Sequence, residues 1–403
     1  MDTMTNTSVP LDVEVAIDHL MNVLSVEGIT GQEANIAAAV SEALKKAGVP
    51  ASAIRFDDVN ERIPLPTETG NLIVDLPGTR PGPRLLFSTH LDTVPLCAGA
   101  KPRREGDRIV SDGTTALGGD ARTGVALLIV VAETLLKNQI PHPPITLLFT
   151  VREESGLHGA RELNPADLKV PVMCINVDGQ LASELIIGAV GQENWEVEIK
   201  GKASHAGVAP DEGISSTLVG AIALAEARNA GWFGKVVKPD GHGTSNVGIF
   251  GGKDGKPSGD ATNVVTDYTY IKGEARSPEL TFATKIVNGY EEAFARARSE
   301  VKDHEGETAD VTFRRQPAYP PFELGKDTPV VKRATEALKM LGIEPTYLFS
   351  NGGLDANWLD KHGIPTITIG AGQARIHTIN EYVNLTEYEK GCRLGLIMAT
   401  MEG

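Results

Sequence analysis

Five short stretches of the sequence hold side chains able to bind a metal or move a proton: His90-Leu-Asp92, Asp120, Glu153-Glu154, Asp178 and His377. Imidazole and carboxylate together form a donor set suited to zinc, and also to manganese or cobalt. Two of the spacings carry information. In extended chain, residues i and i+2 face the same side. If His90 ligates through one ring nitrogen, Asp92 can accept a hydrogen bond from the other and fix the ring. Adjacent side chains diverge instead, so within Glu153-Glu154 one carboxylate can ligate while the other faces the reacting centre as a base. Taken singly, each stretch has a plainer reading. An HxD pair arises by chance, an EE pair is usually solvated surface, and an aspartate at a strand end commonly caps or turns the chain. Their joint placement is the argument.

That placement comes from the elements around them. Apolar runs at residues 72–76, 84–89, 145–150, 172–177 and 366–369 read as buried strands. His90-Leu-Asp92, Glu153-Glu154, Asp178 and His377 each come after one of these runs. Between the runs lie an Ala-rich helix after residue 33, a long apolar helix from about 120 to 136, a helix from about 328 to 341 and a terminal helix. Capping boxes at Thr30-Gly-Gln-Glu33 and Thr386-Glu-Tyr-Glu389 are expected to start two of them. Strands alternating with helices predict an α/β domain, a helix-covered and mostly parallel sheet. Ligands bind such sheets outside the carboxyl ends of the strands. The candidate side chains therefore converge on one sheet edge, where Asp120 can join them from the start of the long helix.

The pattern changes near residue 191. Trp195-Glu-Val-Glu-Ile199 alternates as a half-exposed antiparallel strand does. Helices near 214–228 and 278–301, with further strands near 246–250, 268–275 and 311–315, complete a smaller α+β unit of two helices and four strands. The expected division is a domain of residues 1–189 and 317–403, interrupted by an inserted domain of residues 190–316.

Composition narrows the classes. The 403 residues carry 38 Lys and Arg against 53 Asp and Glu, a formal charge of −15. That balance argues against nucleic acid or an anionic membrane as partner. Cys97, Cys174 and Cys392 are far apart and lack CxxC spacing, which predicts no disulfide framework and a cytoplasmic setting. The start, MDTMTNTSVPLDVEV, lacks a basic region followed by an apolar one and does not read as a signal peptide. The most apolar stretch, 125–132, is too short to span a bilayer. No GxSxG elbow is present, which excludes a metal-independent α/β hydrolase.

Seven motifs in order, FSTHLDTVP, LGGDARTG, VREESGLHGA, NVDG, GKASHAGVAP, GGLDANW and IHTINEYV, resemble those of the dinuclear zinc exopeptidases, the family of peptidase T, carboxypeptidase G and aminoacylase. VREESGLHGA and GKASHAGVAP are most similar to the peptidase T branch. The resemblance implies that His90 and Asp178 bind one zinc, Glu154 and His377 the other, and that Asp120 bridges both and precedes a cis peptide. Asp92 would orient His90, and Glu153 would be the general base. The inserted domain would be a lid that mediates homodimerisation. It would supply His205 to stabilise the transition state and Asn263 and Arg276 to grip substrate, while Gly352 and Gly353 would offer backbone contacts. The sequence departs from the family where Ala121 and Arg122 follow the bridging aspartate and where GGLD replaces GGTD or GGSD.

The expectation is a metallopeptidase with two Zn2+ per subunit, Co2+ or Mn2+ being alternatives, acting on short peptides and most simply as a tripeptide aminopeptidase. A carboxypeptidase or an N-acyl-amino-acid deacylase would use the same chemistry. A catalytically silent metal-binding protein would have lost the base or a ligand, and both the base and all five ligands are present.

Overall fold

The computed structural model describes residues 10–402. The chain forms two compact units, one running to Ala189 and resuming at Glu323, the other Val190–Phe322.

In the first unit, strands Leu72–Leu76, Leu85–His90, Ile145–Thr150 and Thr366–Gly370 are buried at every position, as unbroken apolar runs require. Leu85–His90 pairs in parallel with Ile145–Thr150 on one side and Met173–Gly179 on the other, and Thr366–Gly370 continues in parallel beyond Met173–Gly179. Four consecutive strands thus end on the same sheet edge. Antiparallel strands flank them: Leu72–Leu76 and then Ile54–Phe56 at one side, Glu184–Ala189 at the other. The fold is α/β with a mostly parallel central sheet, as expected. Ile54–Phe56, Glu184–Ala189 and Thr346–Ser350 gave no sequence signal because they are short or only partly buried.

Helix Gly119–Lys137 lies against Leu85–His90 and Met173–Gly179 and is also covered by helices Val13–Leu24 and Leu385–Thr400. This explains why it is apolar all round. Val125–Leu135 is buried throughout, each Val, Leu or Ile contributing roughly 1.5–3 kcal/mol. Gly124 permits the close approach, since a Cβ there would stand 2.2 Å from Thr89 Oγ1 and 2.4 Å from Val177 O. Gly118, at φ +83°, supplies the left-handed turn into the helix.

Neither expected capping box forms. Helix Ala34–Lys46 begins after Glu33, whose Oε1 instead accepts from Gly31 N at 2.7 Å and Arg152 N at 3.1 Å, while the Thr30 hydroxyl bonds Ser155 Oγ. A distant loop has captured the carboxylate. The terminal helix starts at Leu385, capped by Asn384 Oδ1 accepting from Glu387 N at 2.9 Å. Asparagine is among the strongest N-caps, and it comes two residues before Thr386.

The second unit is an antiparallel sheet in the order Gly234–Lys238, Gly241–Gly251, Tyr268–Ser277, Gly191–Lys200, Asp310–Tyr319, with helices Ser216–Asn229 and Leu280–Glu300. Alternation in Gly191–Lys200 sends Glu193, Trp195, Val197 and Ile199 into the core. There Trp195 packs on Tyr290, Phe294 and Phe313. Four strands were expected and five are present, because only Val236 of Gly234–Lys238 is buried. The expected boundary at 316 falls inside Asp310–Tyr319, whose pairing carries on to Tyr319 opposite Gln192.

All three cysteines are free and buried. Among the described residues, no helix is long and apolar enough to cross a membrane.

Candidate metal centre

The four parallel strands, with the start of helix Gly119–Lys137, bring five predicted ligands together. Asp120 lies between two imidazoles. His90 Nε2 is 3.1 Å from Asp120 Oδ1 and 3.6 Å from Asp178 Oδ1. His377 Nε2 is 3.2 Å from Asp120 Oδ2 and 2.9 Å from Glu154 Oε1. Donors held about 2.0–2.2 Å from a tetrahedral zinc stand about 3.3–3.6 Å from one another, and these four separations lie within a few tenths of an ångström of that range. The donor set therefore fits two ions that share Asp120, one beside His90 and Asp178 and the other beside His377 and Glu154. The Asp120–Ala121 peptide is cis.

The local chain fixes these atoms. His90 Nδ1 lies 2.9 Å from the Asp92 carbonyl oxygen. A carbonyl only accepts, so in the neutral ring Nδ1 carries the proton and Nε2 is left to ligate. The Asp92 carboxylate was expected to orient His90. Its Oδ1 is 3.5 Å from that ring nitrogen, and the carboxylate makes two further contacts. Oδ1 accepts from Glu153 N at 3.0 Å and Oδ2 from Glu154 N at 3.2 Å. Asp92 thus holds the Glu153-Glu154 loop while its main chain holds the ring. Several non-glycine residues in this region adopt left-handed backbone, among them Arg152 at φ +52°, Arg375 at φ +55° and His377 at φ +61°, at a cost of order 1–3 kcal/mol each. Arg152 is held there by Glu33 at its N–H and by Thr67 Oγ1 and Ser155 Oγ at its guanidinium.

The electrostatics describe a centre that lacks positive charge. Burial opposes charging of His90, but the carboxylates of Asp120, Asp178 and Asp92 outweigh it and lift the ring's pKa well above the ordinary value. Hydrogen bonds to Asp120 and Glu154 lift His377 to about 10. Asp120, although burial pushes it up, is held well below the carboxylate range by His377 and His90. Burial, then the charge of Asp120, raises Asp178 to about 7. Burial also raises Glu154, and raises Glu153 well above its usual value, with Asp178, Glu154 and Asp355 adding to the latter. Divalent cations would supply the missing charge and displace these protons.

Sequence reasoning missed four supporting residues. Glu381, 2 % exposed, accepts from the backbone of the Asp120 loop. Gln373 Nε2 donates to Asp178 Oδ1 at 3.3 Å. Asp355, in the GGLD motif, accepts from the Thr150 hydroxyl, and its other oxygen is buried without a hydrogen-bond partner. Burial raises its pKa to about 6 and that of Glu33 to about 7. Glu33 sits in a helix-start pattern that hid its role, and the others had no local spacing to mark them.

Gly352 and Gly353 lie between strand Thr346–Ser350 and helix Asp355–Lys361. The N–H of Gly352 is taken by Ser350 Oγ at 3.0 Å. In the second unit, His205 and Asn263 are exposed neighbours: Ala206 N bonds Asn263 O, and His205 bridges Val264. His205 Nδ1 accepts from Gly207 N at 3.2 Å. Arg276, on strand Tyr268–Ser277, is gripped side-on by Glu274, Nε and one terminal nitrogen lying 2.9 and 3.0 Å from its two oxygens.

Comparison with known proteins bears on this arrangement. The model of the family described as "Peptidase family M20/M25/M40" matches residues 86–399. An uncharacterized protein of Bacillus subtilis (strain 168), YqjE, is 31% identical over 377 residues, 93% of this chain and 94% of that one. Among solved structures, the aminopeptidase PepT of Bacillus cereus ATCC 10987 aligns with a TM-score of 0.82 at 31% identity, over 97% of this chain and 98% of the other. A tripeptidase of Staphylococcus aureus subsp. aureus mu50 aligns with a TM-score of 0.85 at 28% identity, over the same shares.

Proposed function

The chain belongs to peptidase family M20/M25/M40 and is a peptidase, and from that premise we propose that it is a two-metal aminopeptidase that removes the first residue of short peptides, tripeptides above all. The observation that carries the reading is the Asp120 carboxylate lying between His90 and Asp178 on one side and His377 and Glu154 on the other. The names of the Bacillus cereus aminopeptidase and the Staphylococcus aureus tripeptidase support the N-terminal direction and the substrate length.

In this reading His90, Asp178, Asp120, Glu154 and His377 hold two divalent ions, zinc first and cobalt or manganese as alternatives. Bound ions acidify water and polarise the scissile carbonyl. Glu153, buried and with its carboxyl raised above the ordinary value by that burial, takes the proton of the attacking water and passes it to the leaving amine. Asp92 keeps Glu153 and Glu154 in register through their N–H groups. His205 hydrogen-bonds the developing oxyanion. Asn263, Arg276 and the backbone at Gly352 and Gly353 hold the substrate, Arg276 sharing its guanidinium between Glu274 and a substrate carboxylate. The unit Val190–Phe322 acts as the lid and the homodimer contact, and the protein works in the cytoplasm.

The test is a free tripeptide, its N-acetyl form and its C-terminal amide, each assayed with zinc, cobalt and manganese. Acetylation should abolish cleavage. Amidation should weaken it in wild type and matter little in Arg276→Ala. Faster cleavage of the acetylated peptide would overturn the aminopeptidase reading in favour of a deacylase or carboxypeptidase.

A further inference from the structure

Residues 373–384 form a hairpin whose strands, Gln373–Ala374 and Tyr382–Asn384, pair with each other, the second pairing in turn with Arg108–Val110. His377 lies at its tip. Four residues on, Glu381 is 2 % exposed. Its Oε2 accepts from Leu117 N and Gly118 N, each at 2.9 Å, and its Oε1 accepts from Asp120 N at 3.1 Å. A carboxylate buried this deeply is costly unless its lone pairs are met, and here three main-chain donors converge on it. Those donors belong to the turn that delivers Asp120. The same hairpin reaches one further point of the centre and the helix behind it: Gln373 Nε2 donates to Asp178 Oδ1 at 3.3 Å, and its Oε1 accepts from Thr123 Oγ1 of helix Gly119–Lys137 at 3.1 Å.

We propose that Glu381 is a positioning residue for the two-metal centre, locking the Asp120 turn to the hairpin that carries His377 so that one carboxylate can face both imidazoles. The inference rests on the reading of Asp120 and His377 as metal ligands. Glu381 touches no reacting atom. It acts by setting where the Asp120 oxygens stand, and its loss affects metal binding before it affects substrate binding.

The test uses Glu381→Gln, which keeps size but turns an amide NH2 toward backbone donors. Arg333→Met serves as a control, because Arg333 is also buried and bonds main-chain groups, Met398 O and Met401 O, in the same unit. Purified apoproteins are titrated with zinc against a chromophoric chelator, and cobalt-loaded forms are compared by visible absorption. Wild type should take two equivalents. Glu381→Gln should bind about 10–100-fold more weakly, the scale for losing a residue that orients ligands, with an altered cobalt spectrum and a lower kcat at nearly constant KM. Arg333→Met should lower thermal stability while keeping wild-type metal affinity and spectrum. Glu381→Gln binding within twofold of wild type with an unchanged spectrum would overturn the proposal alone, as would equal metal loss in Arg333→Met. Wild type taking up no metal would overturn the metal reading itself. If Glu381→Gln does not fold, Glu381→Asp withdraws the carboxylate by one methylene, and the same readouts decide.

Discussion

Asp92 offers the sharpest perturbation, because its carboxylate is fully buried and has two defined partners. Asp92→Ala removes the acceptor from Glu153 N and Glu154 N, which lie 3.0 and 3.2 Å from it. A buried donor left without a partner costs roughly 1–3 kcal/mol. Two of them total about 2–6 kcal/mol, with the lower half more realistic if water enters the vacated space. At ~1.4 kcal/mol per factor of ten, a loss of about 3 kcal/mol in holding this loop corresponds to ~100-fold in kcat, since both the base and a ligand drift. Asp92→Asn keeps one acceptor and should fall between wild type and alanine. The assay is kcat at saturating zinc, paired with hydrogen exchange at the amides of residues 153 and 154. Both amides should exchange faster in the alanine variant. Wild-type kcat with unchanged protection would refute the assignment of Asp92 to the loop.

The other predictions concern the base, the bridge and pH. Glu153→Gln should retain both metals by elemental analysis and lose ~100–10,000-fold in kcat; a lost metal would mean Glu153 is a ligand. Asp120→Ala should reduce metal content more than Asp92→Ala, and equal small losses would argue against a shared carboxylate. In the apoprotein, His377 is lifted from 6.5 to about 10 and Asp178 from 3.8 to about 7. Groups raised on folding stabilise below their unfolded values and lose that contribution as pH rises through the folded ones. The stabilisation from Asp178 should therefore be lost between pH 3.8 and 7 and that from His377 between pH 6.5 and 10, so the Tm of the apoprotein should fall across the upper window, while zinc affinity rises as the ligands shed protons. A rising apoprotein Tm would contradict the charge arrangement. Light scattering should give a dimer mass, and a monomer at assay concentration would remove that part of the proposal.

Four of the five candidate ligands were legible as a group because they come after strongly apolar strands, and the parallel sheet brings such strand ends together, while Asp120 joins them from the start of helix Gly119–Lys137. Element order and strand direction brought these side chains to one sheet edge; the choice of Glu154 over Glu153 as ligand and of Asp120 as bridge came from the family resemblance. The supporting layer depends instead on which side chain meets which backbone group across long sequence separations. Glu33 looked like a helix start and instead holds Arg152, 119 residues away. Glu381 reads as an ordinary residue before a short strand, yet it holds a turn more than 260 residues earlier. Thr386 lost the cap to Asn384 because competition between neighbouring capping side chains is settled by local backbone geometry. Strand Gly234–Lys238 was missed because an edge strand with one buried residue has no alternation to read.

The measurement that tests the central claim most directly is anomalous diffraction at the zinc edge from crystals of the zinc-loaded protein. The account predicts two peaks roughly 3.5–4 Å apart, one beside His90 and Asp178 and one beside His377 and Glu154, with Asp120 between them. A single peak, or peaks away from Asp120, would contradict it.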